Sequence, residues 1–444
     1  MSQHTDAGRR SGPTPSEDAA RPPRYRWVVL AVATVTQASA GFLVQGIGAM
    51  AVPLQHALDL STAQLGLLLS ASQLVPLVGL LVAGELLDRY NERWVVGIGA
   101  AVVGAALLVG GLARGYGSLL AVLLVVGAGY STVQPGGSKS VAAWFEPARR
   151  GLAMGVRQAG LPLGGALSAA VLPAVAVAYG WRAALVAGGL VALLGAGLFM
   201  ALYRRPSTAP VDRPAAASGP TESAAPTDSA SPKDSARSRP RMLREPAIAR
   251  ILVSGLSLVS VHSGIGVLGA LYLHDVTALG PGPTAAVLVA VQVAGAAGRI
   301  ALAAWSDRSR AGRYRAVLVC LGAVVAGLIA LTTPAGRSPA VAALLFTWLG
   351  FFGIGWYGPW VAHLAEAAPP GRTGFALGLV MAVNQLAVVL VPPALGLLRD
   401  TTHGFASAWA ALAAAAALAL ATTARGERGT PAAAGGAPPG SVRP

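Results

Sequence analysis

Long apolar runs separated by short polar breaks occur twelve times along the chain. They cover residues 27–54, 62–87, 94–113, 118–144, 151–179 and 182–203, then 247–273, 284–305, 316–335, 339–366, 373–398 and 404–424. Each reaches the roughly 20 residues a helix needs to cross hydrocarbon, where its backbone polar groups must be satisfied internally. The pattern predicts an all-α polytopic membrane protein. Between the sixth and seventh runs, residues 204–246 are rich in Pro, Ser and Ala without hydrophobic period, which predicts a disordered cytoplasmic linker. Polar residues 1–26 and 425–444 read as cytoplasmic tails, leaving six-helix bundles at 27–203 and 247–424. The first tail lacks the apolar core and cleavage site of a secretory signal, so the first span is expected to be retained.

Composition agrees: the 444 residues are 54% hydrophobic and 11% charged, with mean hydropathy +0.60, outside the range of soluble globular domains. A single cysteine, Cys320, excludes an intramolecular disulfide, and no His/Cys cluster has metal-ligand spacing, so no metal or other cofactor is expected. Arginine outnumbers lysine 31 to 2, a bias we read as a GC-rich bacterial genome rather than a nucleic-acid-binding surface. With the N-terminus inside, 26 of the 33 Lys and Arg residues fall on the cytoplasmic side, and four, Arg114, Arg182, Arg337 and Arg399, fall outside. The positive-inside rule thus places both termini in the cytoplasm of a bacterial plasma membrane, with the basic loops against anionic lipid headgroups. Three cations, Lys139, Arg157 and Arg299, are left within spans.

An internal repeat is visible at an offset of about 220 residues. "GELLDRYNER" after the second run corresponds to "AAWSDRSRAGR" after the eighth, and "RRGLAMG" opening the fifth to "RTGFALG" opening the eleventh. Gly84, Asp88, Arg89 and Arg93, with Asp307 and Arg308 in the weaker second copy, resemble the loop motif of the major facilitator superfamily. The resemblance implies two six-helix halves rocking about a midplane site, with these six residues as conformational gating elements. A weaker likeness, carried by Arg299 ahead of the Asp307 loop, points to the monocarboxylate porter and oxalate/formate antiporter branch. Those antiporters also carry a lysine in the eleventh helix, where this chain has Asn384 and Gln385.

Each in-span cation costs about 2.5 to 3.5 kcal/mol at the bilayer centre. No acid sits mid-span to offset it, since Glu85 and Glu366 fall at cytoplasmic ends and Asp59, Asp275 and Asp400 near external loops. Helix direction leans Lys139 and Arg299 toward the midplane and lets Arg157 snorkel toward the cytoplasm. An anionic substrate is therefore expected to supply the missing charge, held by Lys139 and Arg299 with Arg157 assisting. Further candidates for the wall are Gln45, Tyr130, Gln134, Gln292, Trp356, Tyr357, Asn384 and Gln385. His262 and His363 are the histidines inside spans, and Pro359-x-x-x-His363 echoes Pro135-x-x-x-Lys139, so either imidazole is a candidate proton carrier.

The leading expectation is a secondary active transporter, monomeric, moving a small organic anion such as a monocarboxylate by proton coupling or exchange. A proton-coupled exporter of drugs or natural products on the same scaffold stands as the alternative. No nucleophile–base pair or phosphate loop indicates an enzyme.

Overall fold

The computed structural model describes residues 24–145, 147–205, 246–308, 314–367 and 373–428. The expected tails and linker lie outside these residues, apart from short stretches at their edges. Among the described residues, twelve helices are long and apolar enough to cross a membrane. Span 1 is Tyr25–Ala49, followed by a short helix, Ala51–Leu58. Span 2 runs in two segments, Thr62–Leu74 and Pro76–Arg89. Spans 3 to 6 are Glu92–Gly110, Tyr116–Trp144, Pro147–Tyr179 and Trp181–Leu202. Spans 7 to 9 are Pro246–Asp275, Pro281–Arg308 and Tyr314–Thr332. Span 10 is again broken, into Pro339–Gly355 and Tyr357–Ala367, and spans 11 and 12 are Thr373–Thr402 and Ala406–Arg428.

Local chemistry sets these boundaries. Ser61 opens span 2 with a capping box, accepting from the Gln64 amide at 3.1 Å while Gln64 Oε1 accepts from the Ser61 amide at 2.9 Å. Asn91 caps span 3 through the Arg93 amide at 3.0 Å. Gly180, at φ +84°, makes the tight reversal between spans 5 and 6, a conformation that favours glycine. Proline breaks spans 2 and 10, with Pro76 starting the second segment of one and Pro359 just past the break at Trp356 in the other. Spans 4, 5 and 11 keep Pro135, Pro162, Pro173, Pro392 and Pro393 inside continuous helices, and each such proline removes the N–H that would serve the carbonyl four residues earlier.

Large apolar side chains, among them Val78, Leu190, Leu194, Leu390 and Leu418, stand on the outside of the bundle. That surface suits lipid, where apolar exposure is not opposed by water. Spans 1 to 6 pack together, as do spans 7 to 12, and the two groups meet along span 5 against span 8 and span 2 against span 11. On the side away from the termini the fit is close. A β-carbon on Gly48 would collide with the carbonyl of Gly266, and one on Gly66 with the backbone at Pro392. Asp400 of span 11 accepts from the amides of Thr62 and Ala63, at 3.2 and 2.9 Å, and so caps span 2 from the opposite half. Among the described residues, the second segment of span 2 touches span 11 only sparsely toward the termini.

Candidate functional site

The halves enclose a cavity of about 430 Å³, of a size that suits a small molecule. Its walls come from spans 1, 2, 4, 5, 7, 8, 10 and 11. Of the residues singled out in the sequence, Gln45, Tyr130, Gln134, His262, Gln292, Arg299, Trp356, Tyr357, Asn384 and Gln385 all line it. Among the described residues no carboxylate does, and Arg299 is the cation that lines it.

Arg299 is 7% exposed. Its Nη1 donates to the Gln158 carbonyl of span 5 at 2.9 Å and its Nε to the Ile354 carbonyl of span 10 at 3.3 Å, and the guanidinium lies 5.5 Å from the centre of the Tyr357 ring. Glycines 298 and 355 let spans 8 and 10 approach here, since a β-carbon on Gly355 would stand 2.8 Å from the Gly298 Cα. Tyr357 donates in turn to the Met381 sulfur at 3.4 Å.

Arg157 sits behind this wall with no exposed surface. Its Nη2 donates to Gln37 Oε1 at 3.0 Å and to the carbonyls of Val133 and Gln134 at 3.3 and 2.6 Å. Gln37 Nε2 passes the network on by donating to the Tyr130 hydroxyl at 2.9 Å, so Arg157 reaches the cavity through Tyr130 and Gln134. The expectation that it snorkels is corrected: the buried amide of Gln37, one of the polar groups sequence reasoning missed, holds it inward. Gly137 makes the room, because a β-carbon there would stand 2.7 Å from the guanidinium Nε.

Lys139 is displaced from its expected place. Its Nζ lies 3.6 Å from Glu92 Oε1 and donates to the Leu87 carbonyl at 2.5 Å, at the terminus-side end of the N-terminal half and away from the cavity lining. Glu92 is buried and also pairs with Arg205 Nε at 2.7 Å. A protein carboxylate therefore meets Lys139, contrary to the charge census drawn from the spans. Two facts of folding account for this. The lysine side chain is long enough to outreach its helical lean, and the last carbonyls of span 2 have no intrahelical donor and attract a cation. His363 likewise turns from the cavity, its ring 4.8 Å from that of Tyr314.

The loop-motif residues lie at the same end. Gly84 and the backbone of Asp88 are in span 2, Arg89 pairs with Glu85, and Arg93 binds the Met200 carbonyl of its own half, its guanidinium 5.5 Å from the Trp94 ring. Asp307 and Arg308 are exposed at the end of span 8. The Asp88 side chain lies outside the description.

Several cavity residues escaped the sequence reading. Gln73 accepts from Gln385 Nε2 across the halves, through its carbonyl at 2.9 Å and its side chain at 3.2 Å. Ser70, one turn earlier in span 2, donates to the Val389 carbonyl of span 11 at 2.6 Å. The signal was present in span 2, where Gly66, Ser70 and Gln73 recur at helical spacing. Gln158, Ser138 and Ser263 complete the polar lining. Three buried atoms of lining residues, Gln292 Oε1, Asn384 Oδ1 and Trp356 Nε1, have no partner among the described residues. They offer two acceptors and one donor to a ligand.

The family model described as Major Facilitator Superfamily matches residues 33–392. An uncharacterised MFS-type transporter of Mycobacterium tuberculosis is 27% identical over 405 residues, covering 87% of this chain and 82% of the relative. A hexuronate transporter of Bacillus subtilis is 30% identical over 165 residues, 36% of this chain and 39% of that one. Among solved structures, a bacterial homolog of the human lysosomal transporter Spinster, inward-facing and occupied, superposes with a TM-score of 0.72. It has 15% identity over 93% of this chain and 98% of its own, a likeness of fold.

Proposed function

The chain belongs to the Major Facilitator Superfamily, and on that premise we propose that it carries a small hydroxylated organic anion by alternating access. It is a multi-pass membrane transporter of this family, not an enzyme. The observation that carries the substrate class is Arg299, lining a 430 Å³ cavity in which, among the described residues, no carboxylate offsets it. A guanidinium is the group best matched to a carboxylate, which it meets with two parallel hydrogen bonds. The surrounding amides and hydroxyls of Gln45, Gln73, Gln134, Gln292, Asn384 and Tyr130 supply hydrogen bonds for a polyhydroxy chain. The hexuronate transporter among its relatives moves a ligand of this chemistry, a carboxylate on a sugar.

In this reading residues 27–203 and 247–424 are the rocking units, joined by the 204–246 linker. The protein lies in a bacterial plasma membrane with both termini in the cytoplasm. The cavity, closed on the far side and loosely bounded toward the termini, is then in its inward-facing state. Binding falls to Arg299, Gln134, Tyr130, Gln292, Trp356, Asn384 and Gln385, with Arg157 setting Tyr130 and Gln134. His262, in the same cavity, is the candidate for proton coupling. Lys139 and His363 have no place in this binding set, while the loop-motif residues act when the terminus-side ends of the halves come together.

The test is uptake of a labelled organic-acid panel, sugar acids included, into vesicles reconstituted with the protein, with and without a pH gradient. Transport of at least one acid, lost in Arg299→Gln protein that still reaches the membrane, is the expected result. Movement of a neutral compound alongside failure of every acid would overturn the reading in favour of an exporter of neutral amphipaths.

A further inference from the structure

In a helix the carbonyl of residue i accepts from the N–H of residue i+4, and a proline at i+4 leaves that carbonyl without a donor. Pro162 lies inside span 5, so the orphaned carbonyl is that of Gln158. A polar group inside a protein is costly if left unpaired, and the donor that satisfies this one is Arg299 Nη1, from the other half, at 2.9 Å. Arg299 also donates to Ile354, immediately before the break in span 10. One guanidinium thus bridges an irregular point in span 5 and another in span 10 while lining the cavity.

We propose that the Gln158 carbonyl is a built-in competitor of the substrate carboxylate for Arg299, and that Pro162 is the positioning residue that creates it. The proposal rests on the anion reading given above. A neutral carbonyl is a weaker acceptor for a guanidinium than a carboxylate, which meets its fork with charge and with two oxygens. An arriving acid therefore draws Arg299 off Gln158, and the seam between spans 5 and 8 loses a hydrogen bond at that depth. A neutral ligand of the same shape has no comparable claim on Arg299 and leaves the seam joined. Charge on the ligand becomes the signal that frees one half to move against the other, because only a ligand with differential affinity for two states shifts their populations. Pro162→Ala puts back an N–H, so Gln158 is satisfied within span 5 and the competition disappears.

The experiment uses full-length protein in nanodiscs, spin-labelled through Leu163→Cys and Ile300→Cys, both exposed positions on spans 5 and 8, with the buried Cys320 left in place. Distance distributions and Kd are measured with galacturonate and with uncharged galactose. In the labelled parent, galacturonate is expected to shift the distribution and galactose to leave it unchanged. In Pro162→Ala, and in Pro162→Ser, which restores the same N–H, the ligand-free distribution should already be shifted, and galacturonate should bind about 3- to 10-fold more tightly. Parental Kd values and an unchanged distribution in both variants would overturn the proposal. If no acid of the panel binds the parent, the anion reading fails, and the ligand-free distances in the two proline variants still decide whether Gln158 holds the seam.

Discussion

Lys139 and Glu92 face each other across spans 4 and 3, with 3.6 Å between ammonium and carboxylate. The pair belongs to a cluster at the end of the N-terminal half, in which Arg205 holds the other oxygen of Glu92 and its Nη2 donates to the Tyr90 carbonyl at 3.1 Å. The cluster pins the start of span 3, and with it the turn between Arg89 and Arg93, to spans 4 and 6.

Lys139→Gln should therefore leave substrate affinity within about 3-fold of wild type, since a half-exposed ion pair contributes about 1 kcal/mol or less. Glu92→Gln removes the shared partner of two cations and is expected to cost about 1 to 2 kcal/mol of stability. Thermal unfolding in detergent, alongside Kd for the transported acid, separates the two. A large loss of affinity in Lys139→Gln would return that residue to the binding site.

Two glycines make opposite predictions. Gly137→Ala places a methyl group against the Arg157 guanidinium and should destabilise by about 1 to 3 kcal/mol, as overpacking does. Among the described residues, Gly84 has nothing within 4 Å of where its β-carbon would stand, so Gly84→Ala should hold or gain stability through helix propensity, by up to about 1 kcal/mol. If its face is covered when the terminus-side ends of the halves close, transport should still fall. Unfolding curves set against uptake rates check both, and normal transport by Gly84→Ala would remove this glycine from the gate.

Asp400→Asn weakens the cap that the C-terminal half places on span 2, an effect of about 1 kcal/mol. Capping across a seam biases the equilibrium between closed and open far sides, so the variant should expose more of that side. Labelling of a cysteine introduced at Gln45 by a reagent added from that side should rise about 5-fold. An unchanged labelling rate would show that the backbone contacts alone hold the seal.

His262 carries the proposal of proton coupling. Uptake by His262→Gln should continue down a substrate gradient while losing its stimulation by an imposed pH gradient. Full pH-driven accumulation by this variant would move the coupling elsewhere.

Much of the fold was legible because lipid imposes a simple rule on helices, and the runs of apolar residues obey it. The walls of the site were readable for a related reason: Tyr130, Gln134, Gln292, Arg299, Asn384 and Gln385 are polar where lipid would forbid it. The partners of these groups were not readable. Glu92 looked like part of a loop, and only the packing of span 3 on span 4 brings it to Lys139. Gln37 and Gln73 carry the same polar-in-span signal as Gln45, Gln134 and Gln292, and only the packing that brings them to Arg157 and Gln385 shows what they do. The effect of Pro162 is felt in span 8, in the other half of the chain.

At its tightest points the far side of the cavity is sealed by main-chain atoms, Gly48 on Gly266 and Gly66 on Pro392, while the Ser70 and Asp400 side chains each bind main-chain groups across the seam. Main-chain atoms are common to every residue, so trimming side chains does little to open a leak for ions or protons there. Widening is the threat, because a single added methyl group at Gly48 or Gly66 is enough to wedge the halves apart. Apart from Ser70 and Asp400, the barrier should thus tolerate losses along the sequence and be brittle to small gains.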